Sequence, residues 1–139
     1  MPKLATTDAE IESCFDVMAE LRPHLSRVTF RETVRQMESQ GYKLVYIAVE
    51  NEVVAAAGYR IYTNLFMGLH CYVDDLVTAT IHRSKGYGEQ MIKWLRNEAV
   101  QAGCNHFHLD SGTHRDQAHK FYFAQGLHIA SYHFSEELK

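Results

Sequence analysis

The stretch Asp75-Leu-Val-Thr-Ala-Thr-Ile-His-Arg-Ser-Lys-Gly-Tyr-Gly-Glu-Gln-Met-Ile92 decides how this chain folds. Leading into it, Leu69, Cys71, Val73, Val77 and Ala79 are small or apolar, and the β-branched content from Val73 to Ile81 favours an extended chain. Gly86 and Gly88 then break the strand, because glycine adopts backbone angles that other residues avoid and lets consecutive amide N–H groups approach a ligand. Beyond them Met91, Leu95 and Ala99 recur at helical spacing, with Ile92 and Trp94 flanking the same face, so a helix begins near Gly88. Helix N-termini carry unpaired N–H groups and the positive end of the dipole, and Arg83 and Lys85 add two positive charges beside this one. The stretch therefore has the makings of a phosphate-holding turn.

A Walker loop requires Gly-Lys followed by Ser or Thr, and the order here is Lys85-Gly86-Tyr87, so the magnesium-binding hydroxyl is missing. A dinucleotide fingerprint requires a third glycine where Met91 stands, in an early strand-helix-strand unit. What remains is Arg-x-x-Gly-x-Gly at Arg83, Gly86 and Gly88, or, more plainly, a glycine turn with no ligand.

The 139 residues, 46% hydrophobic and 22% charged, suit one domain with one core spanning 1–139. A formal charge of −3 supplies no global basic field for nucleic acid or an anionic membrane, so any anion site is local. Three cysteines, Cys14, Cys71 and Cys104, without Cys-x-x-Cys spacing, indicate neither a disulfide framework nor a zinc ribbon and fit a reducing cytoplasm. The first residues lack an apolar run of signal length, and no stretch approaches a membrane span.

Along the chain, Lys3–Ala5 reads as a short leading strand. Thr7 with Glu10 reads as a capping box for a first helix with Ile11, Phe15, Met18 and Leu21 on one face, ending before Pro23. Thr29, with Glu32 three residues on, is expected to cap a second helix that stops near Gly41. Tyr42–Glu50 and Val53–Tyr62 form an antiparallel hairpin turning at Asn51-Glu52. The helix 88–102 ends at Gly103, Asn105–Asp110 alternates as a strand, and a last helix stops at Gly126 before a closing strand over Leu127–Phe134. That order gives an α/β (α+β) sandwich around a mixed, mostly antiparallel sheet.

This order and two local signatures resemble the GNAT acetyltransferase superfamily over nearly the whole chain. The first signature is the Arg83, Gly86, Gly88 turn. The second is Ala118, Tyr122 and Gly126, similar to that family's Ala-x-x-x-Tyr-x-x-x-Gly-Phe segment, with Leu127 in place of the Phe and Arg115 where many relatives carry Asn. The resemblance implies a six- to seven-stranded sheet with about four helices and central strands that splay apart. It implies an N-acetyltransferase moving the acetyl group of acetyl-CoA to a primary amine, of a small molecule in the first instance, by direct attack in a ternary complex. A protein or peptide N-terminal or lysine acetyltransferase, or a non-catalytic acyl-CoA sensor, is the alternative. Pantetheine would lie along the strand backbone from Leu76 through Val77 and Thr78 to Ala79, its thioester carbonyl facing an N–H near Leu76 or Val77. Pyrophosphate would rest on the N–H groups of Ser84, Lys85, Gly86, Tyr87, Gly88 and Glu89, with Arg115 and Ala118 near the pantetheine.

An alkyl amine with a pKa near 10.4 is about three units too protonated at neutral pH, roughly 4 kcal/mol of barrier, so a base is worth seeking. Asp75 is the first candidate, directly or through a water, and Asp110 is the reserve. Asp74 points to the other face unless the strand bulges. Tyr122 resembles the family's general acid for the departing thiolate. The basic connector with Arg22 and His24, together with Asp75 and Asp110, is expected at the acceptor pocket. The last helix also looks like small-molecule acetyltransferases that include those acting on aminoalkylphosphonates. No metal is expected, although His106, His108 and Asp110 lie close along one strand. Nucleic acid and membrane are not expected partners, and a homodimer is compatible with the resemblance.

Overall fold

A computed structural model describes residues 1–139. Five strands, β1 (Lys3–Leu4), β2 (Lys43–Val49), β3 (Glu52–Asn64), β4 (Gly68–Thr78) and β5 (His106–Leu109), form one sheet in the order β1-β2-β3-β4-β5. The first three pairings are antiparallel, and β4 with β5 is parallel. Helices α1 (Asp8–Ser13), α2 (Phe15–Leu21) and α3 (Phe30–Glu38) cover one face. The helix α4 (Tyr87–Gln101) covers the other, and α5 (Asp116–Ala124) follows β5.

The alternating pattern of the strands explains the two layers. Leu44 and Tyr46 face α1 to α3, while Val45 and Ile47, one residue out of phase, face α4. Ala55, Ala56 and Ala57, all fully buried on the long central strand, leave room for helices to press close on both sides. From α4, Met91, Leu95 and Ala99 are buried at the spacing the sequence predicts, each larger side chain contributing about 1.5–3 kcal/mol of hydrophobic burial.

Four expectations need correction. The sheet has five strands, not six to seven, because Leu127–Phe134 pairs with nothing in the chain: after Leu127 N–H bonds to Tyr122 O, none of the turn and loop main-chain bonds involves a later residue. The first helix is two. Ser13 Oγ donates to Glu10 O at 2.6 Å, and Cys14 N–H bonds back three residues to Ile11 O, so the helix tightens and breaks at Cys14. That raises the α-helix count from about four to five. Thr29 does stand at the start of α3 but makes no side-chain cap bond, whereas the Thr7–Glu10 capping box forms in full. The β2–β3 turn uses Glu50 and Asn51, both at positive φ, one residue earlier than expected.

The feature that positions the site is a bulge in β4. Gly58 of β3 pairs with Asp75, but the next β3 residue, Tyr59, pairs with Val73, leaving Asp74 as the extra residue. Its effect shows in the cores. Val73 packs against α4 and Val77 against α1 to α3, although four residues apart on a regular strand would share a face. A single inserted residue has turned the second half of the strand over.

Candidate active-site cleft along the splayed half of β4

The parallel pairing of β4 with β5 runs from His70↔His106 to Val73↔Leu109 and stops, so Asp75–Thr78 is paired to β3 on one side only. This is the splay that the family resemblance implies. Ala79 N–H donates to Val54 O at 2.8 Å, and alternation then turns Val77 and Asp75 main-chain groups toward β3. The N–H and C=O groups of Leu76 and Thr78 consequently face the gap. A cleft of about 460 Å³ opens there, lined by both halves of the expected site: Leu76, Val77, Arg83, Asp110, Arg115 and Tyr122 among them.

At one end the strand passes through a 3-10 turn, Thr80–His82, into the glycine loop. Ser84 (φ 65°) and Gly86 (φ 88°) are both left-handed, and the loop opens α4 at Tyr87. This leaves the first helical N–H groups without intrahelical partners and with the positive end of the dipole. Gly88 sits where a Cβ would meet the Phe121 ring at 3.1 Å, so the loop packs closely on α5. Lys85 Nζ contacts His82 Nδ1 at 3.0 Å and Glu89 pairs with Lys93 at 3.2 Å, so neither side chain is turned into the cleft by these contacts. The backbone, with Arg83, is what this end offers an anion.

Tyr122 lines the cleft from α5. Burial raises its pKa, with Arg115 and then Arg22 working against the rise through their positive charge, so the phenol stays protonated at neutral pH. Ala118, one turn earlier, is half-buried and outside the cleft lining.

The acidic end differs from expectation in one respect. Asp75, on the α1–α3 face, is held by Arg22 Nε at 3.0 Å and by the Tyr42 hydroxyl, which donates at 2.8 Å, and it is not in the cleft lining. The bulge instead brings Asp74 to the lining. Asp74 receives Nε and Nη2 of Arg60 at 3.1 and 2.6 Å, and its carbonyl accepts from Arg22 Nη2 at 3.0 Å. Burial raises the Asp74 pKa and Arg60 opposes the rise. Arg22 itself lines the cleft, as does Asp110, whose Oδ2 accepts from the Tyr72 hydroxyl at 2.7 Å. His24 is exposed on the connector and does not join them.

Three side chains were not anticipated. Glu20 lines the cleft and accepts from Thr80 N–H and Oγ1 at 2.9 and 2.7 Å, pinning α2 to the start of the loop. Tyr42, buried so that its pKa is well raised, reaches Asp75 across Gly58, where even a Cβ would fall 1.8 Å from the Tyr42 oxygen. Arg60 completes the pair with Asp74. None had a local signal beyond its residue type. Of the histidines, His108 Nε2 shares a 2.8 Å hydrogen bond with Nδ1 of the fully buried His70, and no three His, Cys, Asp or Glu side chains converge as a metal-ligand set.

Comparison with known proteins agrees with this geometry. Residues 8–127 match the model of the Acetyltransferase (GNAT) family. The uncharacterized N-acetyltransferase YhdJ of Bacillus subtilis (strain 168) is 31% identical over 134 residues, covering 95% of this chain and 94% of that protein. The aminoalkylphosphonate N-acetyltransferase of Salmonella typhimurium (strain LT2) is 30% identical over 66 residues, 48% of this chain and 43% of that one. Among solved structures, AAC(6')-Iy in complex with the bisubstrate analogue CoA-S-monomethyl-acetylneamine superposes with a TM-score of 0.83 at 12% identity, covering 100% of this chain and 97% of that one.

Proposed function

The chain belongs to the GNAT acetyltransferase family, and we propose that it transfers the acetyl group of acetyl-CoA to the primary amine of a small molecule carrying an anionic group. The observation that carries this reading is the half-paired strand: the main-chain groups of Leu76 and Thr78 face a gap lying between the Ser84–Gly88 loop and Tyr122.

In this reading the main-chain N–H groups from Ser84 to Glu89, assisted by Arg83, hold the pyrophosphate. The pantetheine amides pair with the free edge from Leu76 to Ala79, as a missing strand would, with Arg115 beside them. The acetyl carbonyl then points at Leu76 N–H, which is fixed in place before the reaction and receives the charge that develops on oxygen as the amine attacks. The bond from carbonyl carbon to sulfur breaks, and Tyr122 gives its proton to the thiolate.

For the proton the amine loses, two carboxylates stand at the bulge. Asp75 is the base expected from sequence and, lying outside the cleft lining, would take the proton by way of a water. Asp74 is favoured by its place in the cleft lining. Replacing each by Asn separates them: the base is the residue whose loss flattens the acidic limb of the kcat/KM profile against pH.

Arg22, in the lining, is the group suited to an acceptor's acid, and Asp110 to its ammonium. The similarity to an aminoalkylphosphonate acetyltransferase supports an acidic acceptor. The cleft's volume is that of a small-ligand site. A panel of aminoalkylphosphonates, amino acids, amino sugars and peptides, assayed with acetyl-CoA by thiol release, tests the reading. Amine-dependent release with anionic small amines supports it, preference for peptides moves the acceptor class, and binding of acetyl-CoA without turnover on any amine makes the domain a sensor.

A further inference from the structure

Two lysines in this chain meet carboxylates and a third meets a ring nitrogen. Lys3 Nζ lies 3.0 Å from Glu10 and Lys93 Nζ lies 3.2 Å from Glu89, and a carboxylate partner favours the ammonium form, which has no lone pair with which to attack. Lys85 differs. Its Nζ lies 3.0 Å from Nδ1 of His82, and Nε2 of the same ring lies 3.2 Å from Glu52 Oε1. The first residue of β3, the last residue of the 3-10 turn and the glycine loop thus contribute one side chain each to a carboxylate–imidazole–amine line.

The contacts fix where the ring carries its proton. An amine nitrogen of lysine donates here, so Nδ1 is the acceptor, and the proton of the neutral ring sits on Nε2, where it donates to Glu52. An imidazolium would present N–H groups on both sides and lose Lys85. The ring is also held in place: His82 N–H donates to Ala79 O at 2.8 Å, the Tyr87 ring meets it edge-on with centroids 6.4 Å apart, and its side chain is 17% exposed. Lys85 is exposed, on a backbone set by left-handed Ser84 and Gly86 on either side. A nucleophile within reach of a base, with the base kept in one tautomer by a further group, is the arrangement that activates side chains for covalent chemistry.

We infer that Lys85 is a site of covalent acylation, taking an acyl group from an activated donor in solution, an acyl phosphate or an acyl thioester, with His82 as the base. One ammonium proton goes to water, and the neutral amine, still donating to Nδ1, attacks the acyl carbon. The carbon–nitrogen bond forms, and the bond to phosphate oxygen or to sulfur breaks with its electron pair leaving on phosphate or thiolate. The second proton passes to His82 Nδ1, and Glu52 stabilises the imidazolium until solvent removes that proton. The donor is not the acetyl-CoA seated in the cleft, because the reading above puts pyrophosphate at this loop and the thioester at Leu76, the far end of the pantetheine arm. Acylation removes a positive charge from the loop and would weaken its hold on acetyl-CoA; that consequence rests on the proposed function, and the modification itself does not.

Peptide mass spectrometry on the full chain, incubated in separate arms with acetyl phosphate and with acetyl-CoA, reads the rate of acetylation at each lysine. The exposed Lys43, Lys120 and Lys139 serve as references within the same molecule. Lys85 should react at least about tenfold faster than these in one arm or both, short of the roughly hundredfold or more that an enclosed base gives, and the faster arm names the donor class. His82→Phe, and the milder His82→Gln, should bring Lys85 down to the reference rate with Lys93 unchanged and far-UV circular dichroism unmoved. A Lys85 rate no greater than the references in both arms, or one that survives both His82 variants, overturns the inference. So does a rate that falls in Tyr122→Phe, which would assign the transfer to the cleft of another copy. The acetyl phosphate arm calls for no turnover by the cleft, so its result stands whether or not an amine acceptor is found.

Discussion

β4 is one strand with two lives. From His70 to Val73 it is hydrogen-bonded on both sides, its residues alternate into the cores, and it makes no contribution to the cleft until its last residue. From Asp75 to Thr78 it keeps β3 and loses β5, its facing is inverted, and its free edge borders a cleft that Leu76 and Val77 line. The difference shows that the proposed binding surface is made by withholding a pairing, not by adding a special side chain. The main-chain donors and acceptors of Leu76 and Thr78 are held rigid by β3 and left free for a ligand.

That contrast can be broken most severely at Leu76. Leu76→Pro deletes the N–H that faces the gap while sparing the bonds that Val77 and Ala79 make to β3, and kcat should fall about 10²- to 10³-fold, the usual effect of losing an oxyanion donor. Thermal unfolding measured alongside should move little. A variant that loses activity only in proportion to lost fold would show that the free N–H is not used. Tyr122→Phe comes next: about ten- to a hundredfold in kcat with acetyl-CoA affinity unchanged, read from initial rates and from binding titration. Full activity would remove the phenol from the chemistry.

Gly86→Val sharpens the comparison at the loop, where φ of 88° penalises a branched side chain by about 1–2 kcal/mol. Acetyl-CoA KM should rise roughly tenfold by that energy, with the acceptor KM unmoved. The smallest effect lies far from the cleft. Glu10 accepts from Thr7 N–H and Tyr46 and pairs with Lys3, and these contacts, the Thr7 backbone bond first, lower its pKa. Its stabilisation is therefore present above the unfolded value of about 4.5 and is lost as pH falls through the lower folded value. Glu10→Gln should lower the urea midpoint modestly at pH 7, and the gap to wild type should close in strong acid. Activity per folded molecule should be unchanged.

What the sequence revealed and what it hid divide along a physical line. The Ser84–Gly88 loop was legible because left-handed glycine, a helix start and a basic pair are all encoded within a few residues. Tyr122 and Arg115 came from the family resemblance of the last helix, and both line the cleft. The bulge was not, since whether Asp74 is extra depends on the register of β3 against β4, and the Gly58–Tyr59 step that sets it carries no local mark. The same holds for Arg22 with Asp75, 53 residues apart, and for Glu20 with Thr80, 60 residues apart. Leu127–Phe134 failed for a related reason. Strand propensity is a property of the segment, but a strand exists only where another edge receives it.

The inversion at Asp74 has a consequence for how this chain can change over generations. Deleting that one position would restore regular alternation with Val73 and Leu76 still facing α4 and Val77 still facing α1 to α3, so both cores would keep their side chains and only the carboxylate that the bulge brings to the cleft would be lost. Drift is thus free to change or even to drop the residue at position 74 without disturbing the packing on either side of the sheet, and what that position supplies is chemistry at the cleft and not a place in a core.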